Sequence, residues 1–516
     1  MAKVLFINPT IREEDDPRHV PYGMALLASI AMRDGHLVQV YDHNAWRAPD
    51  SVLAQVLKAD RWDVIGIGGI TTAYRSIKQI TGMAKELAPT SLVVAGGGFL
   101  TSMPHDIMRF LPQVDVGVVG EAFVSFPELL RRVDAGNRDW AQVKGLIWRE
   151  PSGRSRLNPE QPLLQDLDSL PYPAWELFPL EVYFKNSMAL FSEEGMLSRR
   201  RLDINASYGC SLICRFCFHL GIAGDMKQVE TAEGERDVTF TYDRNIRYHS
   251  PRYVVDLVKY ARERFGVDFI GFLDENLMTM HQSSGKKWLT DIARLWIEEG
   301  LQPQCVRDDV PHHPEKCSGV HWGGTSHATL CSPEVLRAIK QSGCSHLVYG
   351  YESFSARVMK TIGKGATPET NERSLRWTME AGIRPIPNQM MGFPDEDFDS
   401  IKDNVRAWNR LGLNVKPFFA TPYPGTEWYH TNKQRILEQY GNDLEAFLLD
   451  VGDATRVTAV ICKKFNAVEL YGLRELMVLR DLKRIEEYEA EWKRLHAHDT
   501  PAPAPAPLSV LERARA

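Results

Sequence analysis

Short apolar runs alternate with longer amphipathic segments along the first 150 residues. The apolar runs, rich in Val, Ile and Leu, predict five buried strands: Lys3–Asn8, Leu37–Asp42, Asp63–Ile70, Ser91–Gly98 and Val114–Gly120. The segments between them predict four helices: Tyr22–Arg33, Ser51–Lys58, Ser76–Leu87 and Val124–Val133. This alternation is typical of an α/β domain with a parallel, doubly wound sheet.

The same alternation resumes after residue 201. Six further strands are predicted at 202–206, 269–273, 319–323, 346–351, 386–391 and 415–420. Helices are predicted between them at 253–264, 286–299, 333–341, 369–381 and 399–411. Six β/α units of this kind predict a partial (β/α)6 TIM-like barrel, whose reactive groups would lie on the loops after the strands.

The remaining segments set the expected domain limits. We expect the first domain at 1–150, an irregular, proline-containing wrap at 151–200, the barrel at 201–430 and a helical region at 431–498, which includes one charged helix near 468–496. Residues 499–516 contain an alternating Pro/Ala run and are expected to be disordered. Leu220–Arg244 is long for a strand-to-helix connection, so it is either a lid or substrate-specificity loop or a disordered insertion.

Composition narrows the class of protein only a little. Of the 516 residues, 44% are apolar and 25% charged, as in ordinary globular proteins. The net charge of −6 gives no electrostatic reason to expect nucleic acid or an anionic membrane as a partner. The first residues resemble neither a signal peptide nor a transmembrane segment. Eight cysteines without a secretory signal favour a reducing compartment, so we expect a cytoplasmic protein.

Three cysteines carry the strongest chemical signal. Cys210, Cys214 and Cys217 form a C-x3-C-x2-C motif on the loop after the first barrel strand. Three thiolates this close together can hold a [4Fe–4S] cluster and leave its fourth iron open to a small chelating molecule. Structural zinc, the alternative, usually takes four ligands in C-x2-C pairs, and no second pair exists here. Cys305 and Cys317 lie on a helix-to-strand loop and are expected to be structural or incidental.

The motif, the aromatic Phe216 within it and the α/β region that follows resemble the radical S-adenosylmethionine (SAM) superfamily. The resemblance implies that Phe216 lies at the cofactor site and that Glu275 or Asn276, after the second strand, accepts a hydrogen bond from SAM or substrate. It also implies that Glu352, after the fourth strand, contacts SAM, and that Met391 and Gly392, after the fifth, support its adenine. For each acid, the alternative is a solvated loop carboxylate.

The strand ends of the first domain are rich in glycine and threonine, and none matches the dinucleotide motif G-x-G-x-x-G. Glycine lets a large flat ligand approach the backbone, although ordinary turns use it equally often. Together with Pro21–Ala28, Gly35, His36, Asp42 and Leu170–Trp175, these ends resemble the Rossmann-like cobalamin-binding domain of the B12-dependent radical SAM family. The implied cobalamin contacts are Ile70, Thr71, Thr72, Gly96, Gly97, Gly98 and Glu121.

One departure concerns the lower face of cobalt. The chain lacks the D-x-H-x-x-G motif whose histidine binds cobalt in other cobalamin enzymes, and Asp42-His43 has the wrong spacing. B12-dependent radical SAM proteins usually lack this motif as well. We therefore expect His43 to be a surface or strand-end histidine and leave the lower ligand of cobalt unassigned.

The resemblance implies a radical SAM methyltransferase that uses methylcobalamin to methylate an unactivated carbon of a small-molecule or lipid substrate. An electron donor such as flavodoxin or ferredoxin would reduce the cluster. Related proteins also close rings, oxidise carbons or rearrange substrates, so an enzyme without methyl transfer is the first alternative. A catalytically inactive cobalamin-binding sensor or scaffold is the second. Methylthiotransferases of transfer RNA fit less well, because residues 1–200 contain no cysteine for a second cluster.

Overall fold

The computed structural model describes residues 1–186, 193–217, 226–230, 235–240, 243–313 and 317–497. Its first large sheet has seven strands: Lys3–Asn8, Leu37–Asp42, Val64–Gly68, Leu92–Gly96, Val116–Val118, Leu146–Arg149 and Ser155–Leu157. In space their order is 2-1-3-4-5-6-7. The first five strands are mutually parallel, which confirms the predicted doubly wound sheet.

The last two strands are an antiparallel addition that the pattern did not predict. They are only four and three residues long, too short for a two-residue alternation to be distinguished from a loop. The expected domain limit at residue 150 falls inside this hairpin. The irregular segment therefore starts later than the prediction placed it.

Helices cover both faces of this sheet: Tyr22–Arg33, His43–Trp46, Asp50–Lys58, Tyr74–Leu87, Gly98–Ser102, Pro104–Phe110 and Ala122–Asp134. Alternate side chains of the first strand enter different cores because successive residues of a strand point to opposite faces. Phe6 packs with Ala28 and Phe126 on one side. Leu5 and its neighbours pack on the other side with the helices at 50–58 and 74–87.

The second large sheet has six parallel strands in chain order: Arg201–Ile204, Phe269–Phe272, His321–Ser326, Cys344–Glu352, Arg384–Met391 and Phe418–Phe419. The helices that connect and cover them are Pro251–Phe265, Leu277–Ser283, Trp288–Glu298, Gln304–Arg307, Pro333–Gln341, Ala356–Thr361, Pro368–Glu380 and Phe398–Leu411. This sheet is the predicted partial (β/α)6 barrel.

The segment between the two sheets is irregular but buried. It contains the helices Leu180–Asn186 and Glu193–Leu197, and Trp175 within it is fully buried. The backbone N–H of Ala174 donates to the carbonyl of Ala25, 3.0 Å away. One continuous hydrophobic core joins the helix at 22–33, this segment and the barrel helices. The two sheets are therefore packed together rather than loosely tethered.

The C-terminal region contains the helices Glu427–Thr431, Lys433–Gln439, Leu444–Asp450, Ala467–Leu479 and Leu482–Leu495. The one charged helix predicted near 468–496 is in fact two helices, separated at Arg480, which has a left-handed φ of 57°. Leu470, Leu473 and Met477 of the first helix are buried in the barrel core. The predicted disordered tail lies outside the described residues. No helix among the described residues is long and apolar enough to cross a lipid bilayer.

Two small antiparallel pairs complete the fold. Ser207–Tyr208 pairs with Arg247–Tyr248, and Met226–Glu230 pairs with Arg236–Phe240. The second pair belongs to the long connection after the cysteine motif, parts of which lie outside the described residues. The amide of Gln228 donates to the carbonyl of Asn158, so this hairpin rests on the first domain. Its role as a lid or specificity loop stays a prediction.

Candidate active site

The cysteine motif begins directly after the short strand Ser207–Tyr208, at the carboxyl end of the first barrel strand. Gly209 has a left-handed φ of 104°, and a Cβ there would lie 2.5 Å from the carbonyl oxygen of Asn245. Only glycine therefore allows the chain to turn this closely past its neighbouring strand. The turn brings Cys210 into a buried position at the mouth of the barrel.

The loop after the second barrel strand supports Cys210 from behind. The hydroxyl oxygen of Thr279 lies 3.8 Å from the Cys210 sulfur, and the side-chain nitrogen of Asn276 lies 4.0 Å from it. The side-chain oxygen of Asn276 accepts from the N–H of Met278 and caps the helix at 277–283. These contacts give Asn276 a place beside the cysteine motif, whereas its predicted contact with SAM or substrate stays a prediction.

The three thiols share one electrostatic environment. Burial raises the pKa of Cys214 to about 11, and the positive charge of Lys364 opposes this increase. Burial, followed by the neighbouring sulfurs of Cys214 and Cys210, raises the pKa of Cys217 well above its usual value. Buried neighbouring thiols of this kind ionise only beside a strong positive charge, which an iron–sulfur cluster supplies. The donor set fits a cluster.

Sequence reasoning missed Lys364, which lies at the centre of the site. Its ammonium nitrogen is 2.7 Å from the Glu352 carboxylate, and both side chains are 8% exposed. Glu352 has a left-handed φ of 56°, a conformation that costs energy in a residue other than glycine and is frequent at functional sites. A Cβ at Gly350 would lie 2.2 Å from the Glu352 carboxylate, so glycine there makes room for the ion pair.

Lys364 connects the fourth strand with the cysteine motif. Burial acts to lower the pKa of Lys364, but Glu352 and Cys214 more than compensate, so the pKa is raised. The ammonium also lies 5.5 Å from the ring centre of Phe216, within reach of a cation–π interaction. Phe216 also contacts Trp428, with ring centres 5.4 Å apart. The structure thus gathers Phe216, Glu352 and two of the predicted cluster cysteines around one lysine.

The end of the third barrel strand contributes a second missed residue. This strand runs to Ser326, so His327 follows it directly on the catalytic side. The N–H of Thr329 donates to Nδ1 of His327, 3.3 Å away. Burial, and then the charge of Lys364, lower the pKa of His327 to about 3, so the ring is neutral. Ending the predicted strand at 323 had hidden this histidine.

The two acidic residues after the second strand have different roles. Asp274 is fully buried and accepts from the hydroxyl of Ser207 and, at 3.2 Å, from the N–H of Ala206. Burial raises its pKa to about 7. Asp274 thus fixes the strand end that leads into the cysteine motif. Glu275 is half-buried, and its charge acts on the pKa of Cys217. A contact of Glu275 with SAM stays a prediction.

In the loop after the fifth strand, main-chain atoms rather than side chains are available to a ligand. The side chain of Met391 is fully buried in the barrel core. Gly392 has a left-handed φ of 83°, and its N–H donates to the carboxylate of Glu396. Burial raises the pKa of Glu396 to about 8. A contact with adenine at Met391 or Gly392, which stays a prediction, would therefore use main-chain atoms.

The glycines of the first domain are explained by close packing of two loops. Gly97 has a φ of 97°, and a Cβ there would lie 2.5 Å from the carbonyl oxygen of Gly69. The N–H of Gly69 donates to the carbonyl of Gly96 at 3.2 Å. Gly98 begins the short helix Gly98–Ser102. The two loops therefore pack against each other through their backbones at the carboxyl edge of the sheet.

Three residues after the third strand lie at the same carboxyl edge of the sheet. Ile70 is 46% exposed, Thr71 is buried, and the hydroxyl of Thr72 is buried without a hydrogen-bond partner among the described residues. An exposed apolar side chain beside an unsatisfied hydroxyl fits a large ligand with both apolar and polar edges. The cobalamin contacts predicted at Ile70, Thr71 and Thr72 are compatible with this arrangement and stay predictions.

Glu121 makes structural contacts that the sequence did not predict. Its carboxylate binds the guanidinium of Arg247 at 2.8 Å and also accepts from the N–H of Leu164 at 2.9 Å. Arg247 pairs with Tyr208, two residues before Cys210, and Phe123 packs edge-on against the same tyrosine. Glu121 thus joins the strand ends of the first domain to the base of the cysteine motif. A contact of Glu121 with cobalamin stays a prediction.

His43 begins the short helix His43–Trp46 at the end of Leu37–Asp42, which is an edge strand of the first sheet. This confirms the expected strand-end position. The predicted cobalamin contacts follow the third, fourth and fifth strands, on the other side of the first strand. The position of His43 therefore gives no support to a role in binding cobalt.

We expect the cobalt(II) form of the bound cofactor to show no axial nitrogen splitting from a protein histidine in its electron paramagnetic resonance spectrum. The chain lacks the histidine motif, and His43 lies at the sheet edge. The His43→Ala variant should give the same spectrum as the unchanged protein. Nitrogen hyperfine lines that vanish in His43→Ala would contradict the prediction.

The fold and the two sites define an enzyme of two cofactor-binding domains. The family model "B12 binding domain" matches residues 11–130, and "Radical SAM superfamily" matches residues 204–407. The chain belongs to the cobalamin-dependent radical SAM enzymes. The cofactors of the matched domains are a [4Fe–4S] cluster, SAM and cobalamin, and the neighbouring cysteines and glycine-lined sheet edge fit them.

Curated relatives carry two kinds of name. An uncharacterized methyltransferase of Pyrococcus horikoshii is 27% identical over 419 residues, covering 81% of this chain and 79% of the relative. The anaerobic magnesium-protoporphyrin IX monomethyl ester cyclase of Rubrivivax gelatinosus is 23% identical over 456 residues, covering 86% and 71%. The fold also matches the radical SAM methyltransferase TsrM from Kitasatospora setae with cobalamin and [4Fe–4S] cluster bound. That match has a TM-score of 0.61 at 17% identity and covers 85% of this chain and 78% of that one.

Proposed function

We propose that this enzyme methylates an unactivated carbon of a small-molecule or lipid substrate. In this proposal one SAM, cleaved at the reduced cluster, would supply the radical that removes a hydrogen atom from the substrate. Cobalamin would supply the methyl group, which it would take from a second SAM with release of S-adenosylhomocysteine. The protein residues bind and orient these three cofactors and exclude water. A flavodoxin or ferredoxin is proposed as the electron donor.

The observation that carries the proposal is the Glu121–Arg247 ion pair. Both side chains are nearly buried, at 8% and 3% exposure. The pair joins a cobalamin-domain strand end to the strand Arg247–Tyr248, which is paired with the strand that precedes Cys210. A second contact joins the same two domains: Nδ1 of His19, from the loop after the first strand, lies 2.6 Å from Asp203 of the first barrel strand. A methyl carrier and a radical generator that face each other in this way have an evident use in delivering methyl to a carbon radical.

Within the barrel we propose that Glu352 and Glu275 bind the polar groups of SAM, while Met391 and Gly392 offer main-chain atoms to its adenine. The Glu352–Lys364 pair is buried beside the cysteine motif, so its charges are little screened by solvent. The carboxylate keeps further lone pairs for an ammonium or hydroxyl donor besides Lys364. Phe216, which contacts Lys364 and Trp428, would keep water away from the open iron.

The test uses SAM with a fully deuterated methyl group. Reduced holoenzyme is incubated anaerobically with the small-molecule and lipid fractions of cells that lack the protein, and products are detected by mass spectrometry. The proposal predicts a product with a deuterated methyl group, together with similar amounts of S-adenosylhomocysteine and 5′-deoxyadenosine. The Cys210→Ala variant is the control and should give no labelled product.

Two other outcomes would each replace the proposal. Consumption of a substrate with 5′-deoxyadenosine but no gain of methyl would identify a cyclase, oxidase or rearrangement enzyme, which the relative from Rubrivivax gelatinosus favours. Absence of any 5′-deoxyadenosine from reduced protein with an intact cluster would identify an inactive cobalamin-binding sensor or scaffold.

A further inference from the structure

Four potential metal ligands meet at the end of the barrel opposite the cysteine motif. They are Cys305, His312, Cys317 and His321, and one ligand atom of each lies within 4.8 Å of every other. His321 opens the third barrel strand, so the cluster lies at the amino ends of the strands. Cys305 lies in the short helix Gln304–Arg307, on the loop that precedes this strand.

The distances fit a single metal ion. Nε2 of His321 is 3.3 Å and Nδ1 of His312 is 3.5 Å from the sulfur of Cys305. In a tetrahedral zinc site, bond lengths of about 2.3 Å to sulfur and 2.0–2.1 Å to nitrogen place neighbouring sulfur and nitrogen atoms about 3.6 Å apart. A two-iron cluster with Cys and His on different irons would need wider sulfur–nitrogen separations, so this geometry favours one ion.

The histidine orientation also suits a metal. Nδ1 of His321 lies 3.3 Å from the carbonyl oxygen of Gly343. A carbonyl only accepts hydrogen bonds, so Nδ1 carries the proton and Nε2 presents its lone pair toward the sulfur of Cys305. Metal-bound histidines commonly donate their other ring nitrogen to such a carbonyl, which fixes the ring. The rings of His312 and His321 stand nearly perpendicular, at 87°, with centres 4.8 Å apart.

A backbone hydrogen bond in the site favours a thiolate. The backbone N–H of Cys305 donates to the sulfur of Cys317 at 3.0 Å. Cys305 and His321 are 6% and 4% exposed, and the other two ligands are half-buried. Two thiolates and two neutral imidazoles cancel the charge of a divalent ion, so the loaded site carries no net charge. A neutral, fully coordinated site can be buried at little electrostatic cost.

We propose that Cys305, His312, Cys317 and His321 form a structural zinc site that fastens the loop before the third strand to the bottom of the barrel. Four protein ligands leave no open coordination position, which is the mark of a structural rather than catalytic zinc ion. Soft thiolates combined with imidazoles in a compact tetrahedral arrangement favour zinc over harder cations. Binding releases the two thiol protons and ties the Cys305 segment to the start of strand His321–Ser326.

The loop is already built around these ligands. Val320 donates its backbone N–H to the carbonyl of Leu301, and Gln304 donates to that of Ser318, both at 2.8 Å. Gly319 has a φ of 108°, and a Cβ there would lie 2.6 Å from the carbonyl oxygen of Gln302. Two chain segments that approach this closely hold Cys305 next to Cys317. The site is independent of the proposed methyl transfer, because it lies at the opposite end of the barrel.

The test measures zinc in the full-length protein grown with zinc in the medium. The C-x3-C-x2-C motif can take up zinc adventitiously, so the parent is the variant in which Cys210, Cys214 and Cys217 are alanine, and the cluster-loaded protein is measured beside it. We expect about one zinc ion per chain in both. X-ray absorption at the zinc edge should show two sulfur neighbours at about 2.3 Å and two nitrogen neighbours at about 2.0–2.1 Å.

His312→Ala should reduce the zinc content at least about tenfold in either background and lower the melting temperature. His313→Ala is the matched control, because His313 is the adjacent histidine, is exposed and is not one of the four ligands. Cys305→Ala should behave as His312→Ala does. If Cys305→Ala fails to fold, the comparison of His312→Ala with His313→Ala decides. Zinc-free protein after growth and refolding with zinc, or equal zinc content in the His312 and His313 variants, would overturn the proposal.

Discussion

We expect a protein in which Cys210, Cys214 and Cys217 are all alanine to assemble no [4Fe–4S] cluster and to form no 5′-deoxyadenosine from SAM. We propose these three thiols as the cluster ligands that the radical SAM domain requires. Cys210 is buried at the barrel mouth, and Cys214 and Cys217 are half-buried beside it. Iron and sulfide are measured after anaerobic reconstitution, and 5′-deoxyadenosine is measured after reduction. We expect both to fall from stoichiometric amounts to background.

The control for this experiment is Cys462→Ala. Cys462 is also a buried free cysteine, but it lies in the C-terminal region. This variant removes one buried sulfur without touching the motif, so its cluster content and 5′-deoxyadenosine formation should equal those of the unchanged protein. Retention of about four irons per chain in the triple variant would show that other residues hold the cluster.

Sequence pattern was sufficient for most of the fold because several central parallel strands of both sheets are buried on two sides. Such strands are continuous apolar runs, as in Lys3–Asn8 and Phe269–Phe272, and the helices between them have a clear polar face. The cysteine motif was equally visible, because its three cysteines lie within a run of eight residues. Local patterns of this kind need no knowledge of tertiary contacts.

The third barrel strand shows where local pattern is insufficient. It contains Gly323 and Gly324, and glycine usually weakens a predicted strand. The structure explains both glycines: a Cβ at Gly323 would lie 2.2 Å from the ring of His346, and one at Gly324 would lie 2.7 Å from Leu277. Close packing against neighbouring side chains requires glycine here. The strand therefore continues further than predicted and brings His327 to the catalytic side.

Pairs that are distant in sequence were also beyond prediction. Glu121 and Arg247 are 126 residues apart, and neither segment has a pattern that points to the other. The ligands Cys305, His312, Cys317 and His321 match no familiar spacing, and only the fold of the loop brings all four together. Lys364 follows the short helix Ala356–Thr361, where a lysine is usually solvated, yet it is buried against Glu352. Each case depends on tertiary packing.

Glu352→Gln should weaken SAM binding by about 1.5–3 kcal/mol, or about 10- to 150-fold in Kd, because it removes a charge-assisted contact in a buried site. Glutamine keeps the size of the side chain, so the left-handed backbone at position 352 is disturbed little. The measurement is the SAM affinity of cluster-loaded protein by equilibrium dialysis, together with the yield of 5′-deoxyadenosine. Unchanged values of both would remove Glu352 from the SAM site.

Variants of Lys364 distinguish the contribution of the ion pair to SAM binding from its contribution to stability. Lys364→Met leaves the Glu352 carboxylate buried without its 2.7 Å partner and should lower the free energy of unfolding by about 3–5 kcal/mol. The double variant Glu352→Gln with Lys364→Met removes both charges, so stability should largely return while SAM affinity stays low. Lys402→Met is the matched control, since Lys402 pairs with Glu489 at 2.9 Å on the barrel's outer helices. It should leave SAM affinity unchanged. If the double variant instead recovers SAM affinity together with stability, the ion pair serves only the fold, and SAM is bound by other groups of the barrel.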